Sequence, residues 1–135
     1  MKTIVFDLDE TLIHCLQSAV GNPYLLKQVD VVLDVKFPTG EVAQAPVNIR
    51  PYAIECLQRV SERNEVIIFT ASHQCYADVI LDYLDPHHKL IHHRLYRDHY
   101  VVTPEGIHIK NLEVLGNRDM KNVVIIDNAV YSFGY

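Results

Sequence analysis

The chain has 135 residues, 49% of them apolar and 21% charged, which is room for one sheet with covering helices and too little for two independent cores. A formal net charge of -5 gives no overall positive field to grip a phosphodiester backbone, so no nucleic-acid partner is expected. No apolar run approaches the roughly 20 residues of a membrane span.

Ile4, Val5 and Phe6 are consecutive apolar residues rather than alternating ones, which predicts a buried strand over residues 3–8. It ends in two carboxylates one residue apart, Asp7 and Asp9, a costly place for charge unless chemistry uses it. The breakers through Ser18-Ala19-Val20-Gly21-Asn22-Pro23 predict a loop. Residues 29–37 and 41–49 alternate, are rich in β-branched residues and flank Pro38-Thr39-Gly40; they predict a β-hairpin inserted outside the main alternation.

Pro51 suits a first helical turn, and Ala53, Ile54, Leu57 and Val60 recur at helical spacing to about Arg63. Val66-Ile67-Ile68-Phe69 is the second buried strand and breaks off at Thr70-Ala71-Ser72. Ser72 is predicted to cap the next helix, which carries Tyr76, Val79, Ile80, Tyr83 and Leu84 on one face and stops at Asp85-Pro86. Short strands and the turn Thr103-Pro104-Glu105-Gly106 fill residues 87–109, and Lys110 to Gly116 reads as a brief helix closed by glycine. Val123-Val124-Ile125-Ile126 is the third buried strand, ending in Asp127-Asn128.

Three buried strands, separated by helices and each ending in polar residues, predict an α/β fold with a parallel central sheet. Ligands of such sheets gather outside the carboxyl ends of the strands, which puts Asp7, Asp9, Thr70, Ala71, Ser72, Asp127 and Asn128 on one rim. Carboxylates converging there repel one another unless a hard cation sits among them, and Mg²⁺, which keeps several waters, needs only two or three protein oxygens. A metal-bound Asp7 is then a candidate nucleophile for phosphorus, and Asp9 a candidate for proton transfer to and from oxygen. Thr70 and the backbone N–H groups after it, from Ala71 on, offer donors to phosphate oxygens at a helix start, and Lys110 offers positive charge. These are the parts that phosphoryl transfer asks for.

The order Asp7-Leu8-Asp9-Glu10-Thr11-Leu12, Phe69-Thr70-Ala71-Ser72, a lysine and Ile125-Ile126-Asp127-Asn128 resembles the haloacid dehalogenase superfamily, and Phe6-Asp7-Leu8-Asp9-Glu10-Thr11-Leu12-Ile13-His14, Arg50-Pro51, Phe69-Thr70-Ala71-Ser72, Leu95-Tyr96-Arg97 and Asp127-Asn128 carry a narrower likeness. More narrowly, the chain resembles the small phosphatases that act on the C-terminal domain of RNA polymerase II, together with their nuclear-envelope relatives. The resemblance covers almost the whole sequence. It implies a haloacid dehalogenase-like phosphatase domain over residues 1–135, with an insertion at about 87–109. It also implies a Mg²⁺-dependent protein serine/threonine phosphatase that works through an aspartyl phosphate on Asp7, with Asp9 as general acid and base.

The same resemblance implies that Thr70, Ala71 and Lys110 hold the phosphoryl group and that Tyr76 and Arg97 contact a phosphopeptide. Mg²⁺ would be bound by Asp7, the backbone carbonyl of Asp9, and Asn128, with Asp127 reaching it through water. Two departures stand out. His73 replaces an apolar residue that helps hold a substrate proline, and the family continues with a further strand and helix where this chain stops at Tyr135. An uncovered sheet edge or face, and with it either a self-associated or a marginally stable form, is the expected result.

Two other readings stay open: a catalytically idle adaptor on the same fold, as in mitochondrial import, and a small-molecule phosphatase. The start at Met1-Lys2-Thr3 leads directly into the first strand without a signal peptide. Cys15, Cys56 and Cys75 are odd in number and widely spaced, which suits reduced core thiols. A nuclear or cytoplasmic location is expected. The pairs His87-His88 and His92-His93 read as solvated, pH-responsive surface rather than a zinc site.

Overall fold

The computed structural model describes residues 2–105, 108–111, 115–116, 119–127 and 133–134, with residues 101–102, 108–111, 120 and 133–134 described by backbone alone. The first half contains β1 (Thr3–Phe6), β2 (Ile13–Cys15), α1 (Pro23–Leu26), β3 (Val31–Lys36), β4 (Val42–Ile49) and α2 (Ala53–Ser61). The second half contains β5 (Glu65–Phe69), α3 (Gln74–Leu84), β6 (His93–Leu95), β7 (Tyr100–Val102), β8 (His108–Asn111), β9 (Val123–Ile126) and β10 (Phe133–Gly134).

The central sheet runs β6-β5-β1-β9 and is parallel throughout. Its two inner strands are continuously apolar because both of their faces are covered. Phe6, Val66 and Ile68 pack into one core with Leu57 of α2 and Ile80 and Leu81 of α3. Val5, Ile67 and Phe69 point the other way, to a smaller core with Leu115, Leu95 and Tyr100. On β9 the cover thins: Val124 and Ile126 remain 39% and 41% exposed.

The expected hairpin is present as β3–β4, but β2 joins it to make a three-stranded antiparallel sheet, β2-β4-β3. The region read as plain loop also holds α1, whose first N–H groups, from Tyr24 and Leu25, donate to the Asn22 side chain. A third small sheet pairs β7 antiparallel and β10 parallel with β8.

Four expectations need correction. Pro51 lies outside the helix, because Tyr52, with φ of 67°, is the residue before its first turn. Ser72 does not cap α3; His73 occupies the cap position and makes no side-chain capping bond. Lys110 lies in β8, not in a helix, since His108, Ile109 and Lys110 pair across the ladder with Val102, Val101 and Tyr100. Cys56 is exposed rather than a core thiol, because it sits on the outer side of α2.

Helix α3 stops at Asp85 as the sequence suggests, and the stop has a tertiary cause beyond the following proline. The Asp85 carboxylate, 2% exposed, accepts the N–H groups of Lys89, Leu90 and Ile91, turning the chain toward β6. Further along α3, Arg94 of β6 bridges Asp78 and Asp82 at 2.9 and 3.0 Å, and the Tyr96 hydroxyl donates to Asp78. Burial alone would raise the Asp78 carboxyl, but hydrogen bonds from Tyr96, Arg94 and Gln74 and the Arg94 charge outweigh it and hold it below its ordinary 3.8. Burial and Asp78 together push the Tyr96 phenol up to about 12.

A carboxylate depressed in the fold adds stability above its unfolded value, and loses it as the pH falls through the folded one. Asp78→Asn is therefore expected to lower the melting temperature at pH 7, with the deficit closing near pH 2. An equal deficit at both pH values would mean that packing, not charge, is what the carboxylate supplies.

Candidate functional site

Parallel register sets the site. Phe6 lies level with Ile68 on one side and Ile126 on the other, so β1, β5 and β9 run out together and Asp7 emerges beside Asp127. The Asp7 N–H donates to the Ile126 carbonyl at 3.0 Å, carrying the ladder one residue past the strand. Its carboxylate accepts the next backbone N–H, that of Leu8, at 2.9 Å.

The chain then reverses sharply. The Leu8 carbonyl accepts the N–H groups of Thr11, Leu12 and Ile13 at 3.3, 2.9 and 3.2 Å, and Glu10 takes a φ of 65°, a left-handed conformation that side chains other than Gly, Asn and Asp seldom adopt. The Arg50 guanidinium holds this turn by donating to the carbonyls of Glu10 and Thr11. Arg50 figured in the sequence only as part of a motif; its contact with a loop 39 residues earlier is what fixes where Asp9 goes.

The turn delivers Asp9 to the connection between β5 and α3. Its Oδ2 accepts the Ser72 hydroxyl at 2.7 Å, and its Oδ1 accepts the Tyr76 hydroxyl at 2.9 Å. Burial, with the charge of Asp9 and then Cys15, pushes the Tyr76 phenol far above its ordinary value, so it stays a donor. Thr70 is 1% exposed; its N–H donates to the Leu95 carbonyl at 3.0 Å, and its hydroxyl oxygen accepts the Ser72 N–H at 3.1 Å. Ala71, between them, is exposed at the mouth of the site.

Tyr100 belongs to this site although its sequence context does not announce it. It opens β7, packs edge-to-face on Phe69 with ring centroids 5.5 Å apart, and has its phenol pushed upward by burial first, then by Asp7, Asp127 and Asp9. All three carboxylates thus lie within electrostatic reach of one phenol. Lys110 is the residue paired with Tyr100 across the β7–β8 ladder, so its backbone lies beside the site; its side chain and the whole of Asn128 lie outside the described residues.

The donors gathered here are hard oxygens. Among the described residues no group of three His, Cys, Asp or Glu side chains encloses a metal ion. A cage of that kind is not what Mg²⁺ requires, because it holds its own waters and takes few protein oxygens. The donor set fits that ion.

The start of α3 and the β3–β4 turn form a cleft of about 600 Å³ lined by Phe37, Pro38, Thr39, Glu41, His73, Gln74 and Cys75. Arg97 donates its backbone N–H to the Ser72 carbonyl at 3.3 Å and lines a second hollow with His73, Gln74 and Asp98. The structure thus brings Asp7, Asp9, Thr70, Ala71, Tyr76, Arg97 and Asp127 to one end of the sheet.

Comparison with known proteins gives a consistent set of likenesses. A family model described as NLI interacting factor-like phosphatase matches residues 2–135. CTD small phosphatase-like protein 2 of Dictyostelium discoideum is 44% identical over 133 residues, covering 98% of this chain and 22% of its own length. CTD small phosphatase-like protein 3 of Caenorhabditis elegans is 41% identical, covering 98% of this chain and 43% of its own. Among solved structures, the fission yeast RNA polymerase II CTD phosphatase Fcp1 bound to beryllium fluoride superposes with a TM-score of 0.75 at 26% identity, over 98% of this chain and 38% of that one. The chain spans less than half the length of these relatives.

Proposed function

Because the chain belongs to the NLI interacting factor-like phosphatase family, we propose that it is a phosphoprotein phosphatase that removes phosphate from serine or threonine by way of an aspartyl phosphate. The observation that carries this reading is the different treatment of two carboxylates one residue apart. Asp7 follows the β1–β9 ladder beside Asp127 at the strand ends, and Asp9 is turned back onto Ser72 and Tyr76.

In the first step an Asp7 carboxylate oxygen attacks phosphorus, the bond from phosphorus to the seryl oxygen breaks, and that oxygen takes a proton from Asp9. In the second, water gives a proton back to the Asp9 carboxylate and attacks phosphorus, releasing inorganic phosphate and free Asp7. The Thr70 hydroxyl, which accepts the Ser72 N–H, keeps its own proton for a phosphoryl oxygen; the Ala71 N–H and the Lys110 ammonium complete the cradle. Asp7, the Asp9 carbonyl and Asn128 would hold Mg²⁺, with Asp127 reaching it through water. The ion, when bound, offsets negative charge on the phosphoryl group and its nucleophile.

Residues 1–135 act as one phosphatase domain in this reading, with the insertion of residues 87–109 beside the site. Tyr76 and Arg97 are the peptide contacts, and substrates extend to phosphopeptides like the RNA polymerase II C-terminal domain named in the relatives. His73 and Glu41 put polar side chains into the lining of the adjoining cleft. Self-association, where it occurs, would use the β9 edge with its exposed Val124 and Ile126. The protein would act in the nucleus or cytoplasm; among the described residues no helix is long and apolar enough to cross a membrane.

A panel of phosphoserine peptides, with and without a following proline, measured beside free phosphoserine and sugar phosphates tests the substrate class. We expect kcat/KM on the best peptide to exceed that on the small esters by about 10-fold or more, since contacts remote from the reacting bond add to transition-state binding. Equal or reversed values favour a small-molecule phosphatase, and hydrolysis of none favours an idle adaptor.

A further inference from the structure

We propose that Ser72 and Tyr76 are positioning residues that aim the Asp9 carboxyl at the leaving oxygen, an inference that rests on the phosphatase reading above. Both oxygens of Asp9 are engaged by protein hydroxyls, one from the loop after β5 and one from the first turn of α3. A carboxylate held at both ends loses its rotation about the terminal bond. The holders lie 63 and 67 residues away in sequence, so the orientation is a product of the fold and not of the local turn.

The arrangement leaves the chemistry open. Each carboxylate oxygen has a second lone-pair direction, so one oxygen can carry and deliver the acidic proton while still accepting from its hydroxyl partner. The backbone braces the holders in turn. The Ser72 N–H donates to the Thr70 hydroxyl at 3.1 Å, and the Ser72 carbonyl accepts the Arg97 N–H at 3.3 Å. Phosphate cradle, proton donor and peptide rim are thereby tied to a single residue.

Sequence reasoning gives these two residues other work, a helix cap for Ser72 and a substrate contact for Tyr76. The roles separate by leaving-group dependence. A proton donor matters most when the departing oxygen is basic, and kcat/KM reports only the steps through the first irreversible one, here transfer to Asp7 with loss of the alcohol. Phenyl phosphate and p-nitrophenyl phosphate are close in size and differ chiefly in leaving-group basicity.

The experiment measures kcat/KM on both esters for the parent chain, Ser72→Ala, Tyr76→Phe, Ser72→Thr and Asp9→Asn. In Ser72→Ala and Tyr76→Phe the ratio of phenyl to p-nitrophenyl activity is expected to fall by about 10-fold, toward the Asp9→Asn value, because loose aim of a catalytic group costs on that order. Ser72→Thr, which keeps a hydroxyl, should restore it. Unchanged ratios in both hydroxyl-deletion variants would overturn the proposal. A lone rise in KM for a phosphoserine peptide with Tyr76→Phe would return that residue to substrate contact alone. Each variant removes only one hydroxyl, and should Tyr76→Phe fail to fold, the partly exposed Ser72 decides. A parent chain inactive on both esters refutes the phosphatase reading and this proposal with it; an active parent with unchanged ratios refutes only this proposal.

Discussion

Asp7→Asn is expected to lower phosphatase turnover by about 10³-fold or more while leaving the melting temperature of the metal-free protein within a few degrees of the parent, because it removes the nucleophile's charge and keeps the side chain's shape. The amide is nearly the same shape as the carboxylate, and its oxygen can still accept the Leu8 N–H that the Asp7 carboxylate accepts at 2.9 Å. The backbone N–H of residue 7 still extends the β1–β9 ladder to Ile126. What is lost is an anionic oxygen able to bond to phosphorus. The folding control matters here, since a variant that unfolds would also be inactive; circular dichroism and a thermal melt beside the kinetics separate the two. Retained turnover in a folded Asp7→Asn protein would show that the attacking group is something else.

Chelation of divalent metal should have the second-largest effect, a drop in turnover of about 10²-fold or more that Mg²⁺ reverses. The expectation comes from like charge at the strand ends: the β1–β9 register brings Asp7 beside Asp127, and bringing a phosphate dianion to Asp7 without a cation adds charge of the same sign. A readout independent of turnover accompanies it. A cation that binds only the folded chain raises the melting temperature with its concentration, and Asp7→Asn should weaken that rise. Full activity in a strong chelator would remove the cation from the account.

Much of this arrangement was legible in the sequence, for a physical reason. Strands buried on both faces must be continuously apolar, so β1, β5 and β9 stand out, and polar residues directly after such runs can only sit at the sheet edge. That reasoning places Asp7, Thr70 and Asp127. β6 was not recognised as a fourth parallel strand because it is only His93–Leu95, too short and too polar for its period to show. β2 was missed similarly, since three residues tell little until β4 is present to pair with them.

The errors inside the site have one common source, contacts between residues far apart in the chain. Ser72 has the chemistry of a helix cap, and local preference would make it one; Asp9, 63 residues away, takes its hydroxyl instead. Lys110 precedes a glycine at helical spacing, yet the ladder to Tyr100 draws it into a strand. Tyr100 carries no motif, and its relevance comes from the Phe69 ring it packs on and the field of Asp7, Asp127 and Asp9 that raises its phenol. Asn128 falls in the place the motif predicts by order alone, and its geometry lies outside the described residues.

The most direct measurement is to catch the covalent intermediate. Acid quench during turnover of a phosphoserine peptide, followed by borohydride reduction, converts an acyl phosphate on an aspartate to homoserine, and peptide mass spectrometry then reads which residue changed. The account predicts reduction at Asp7, absent when substrate is withheld and absent in Asp7→Asn. Steady turnover with label at Asp9, at Asp127 or at no aspartate at all would contradict it.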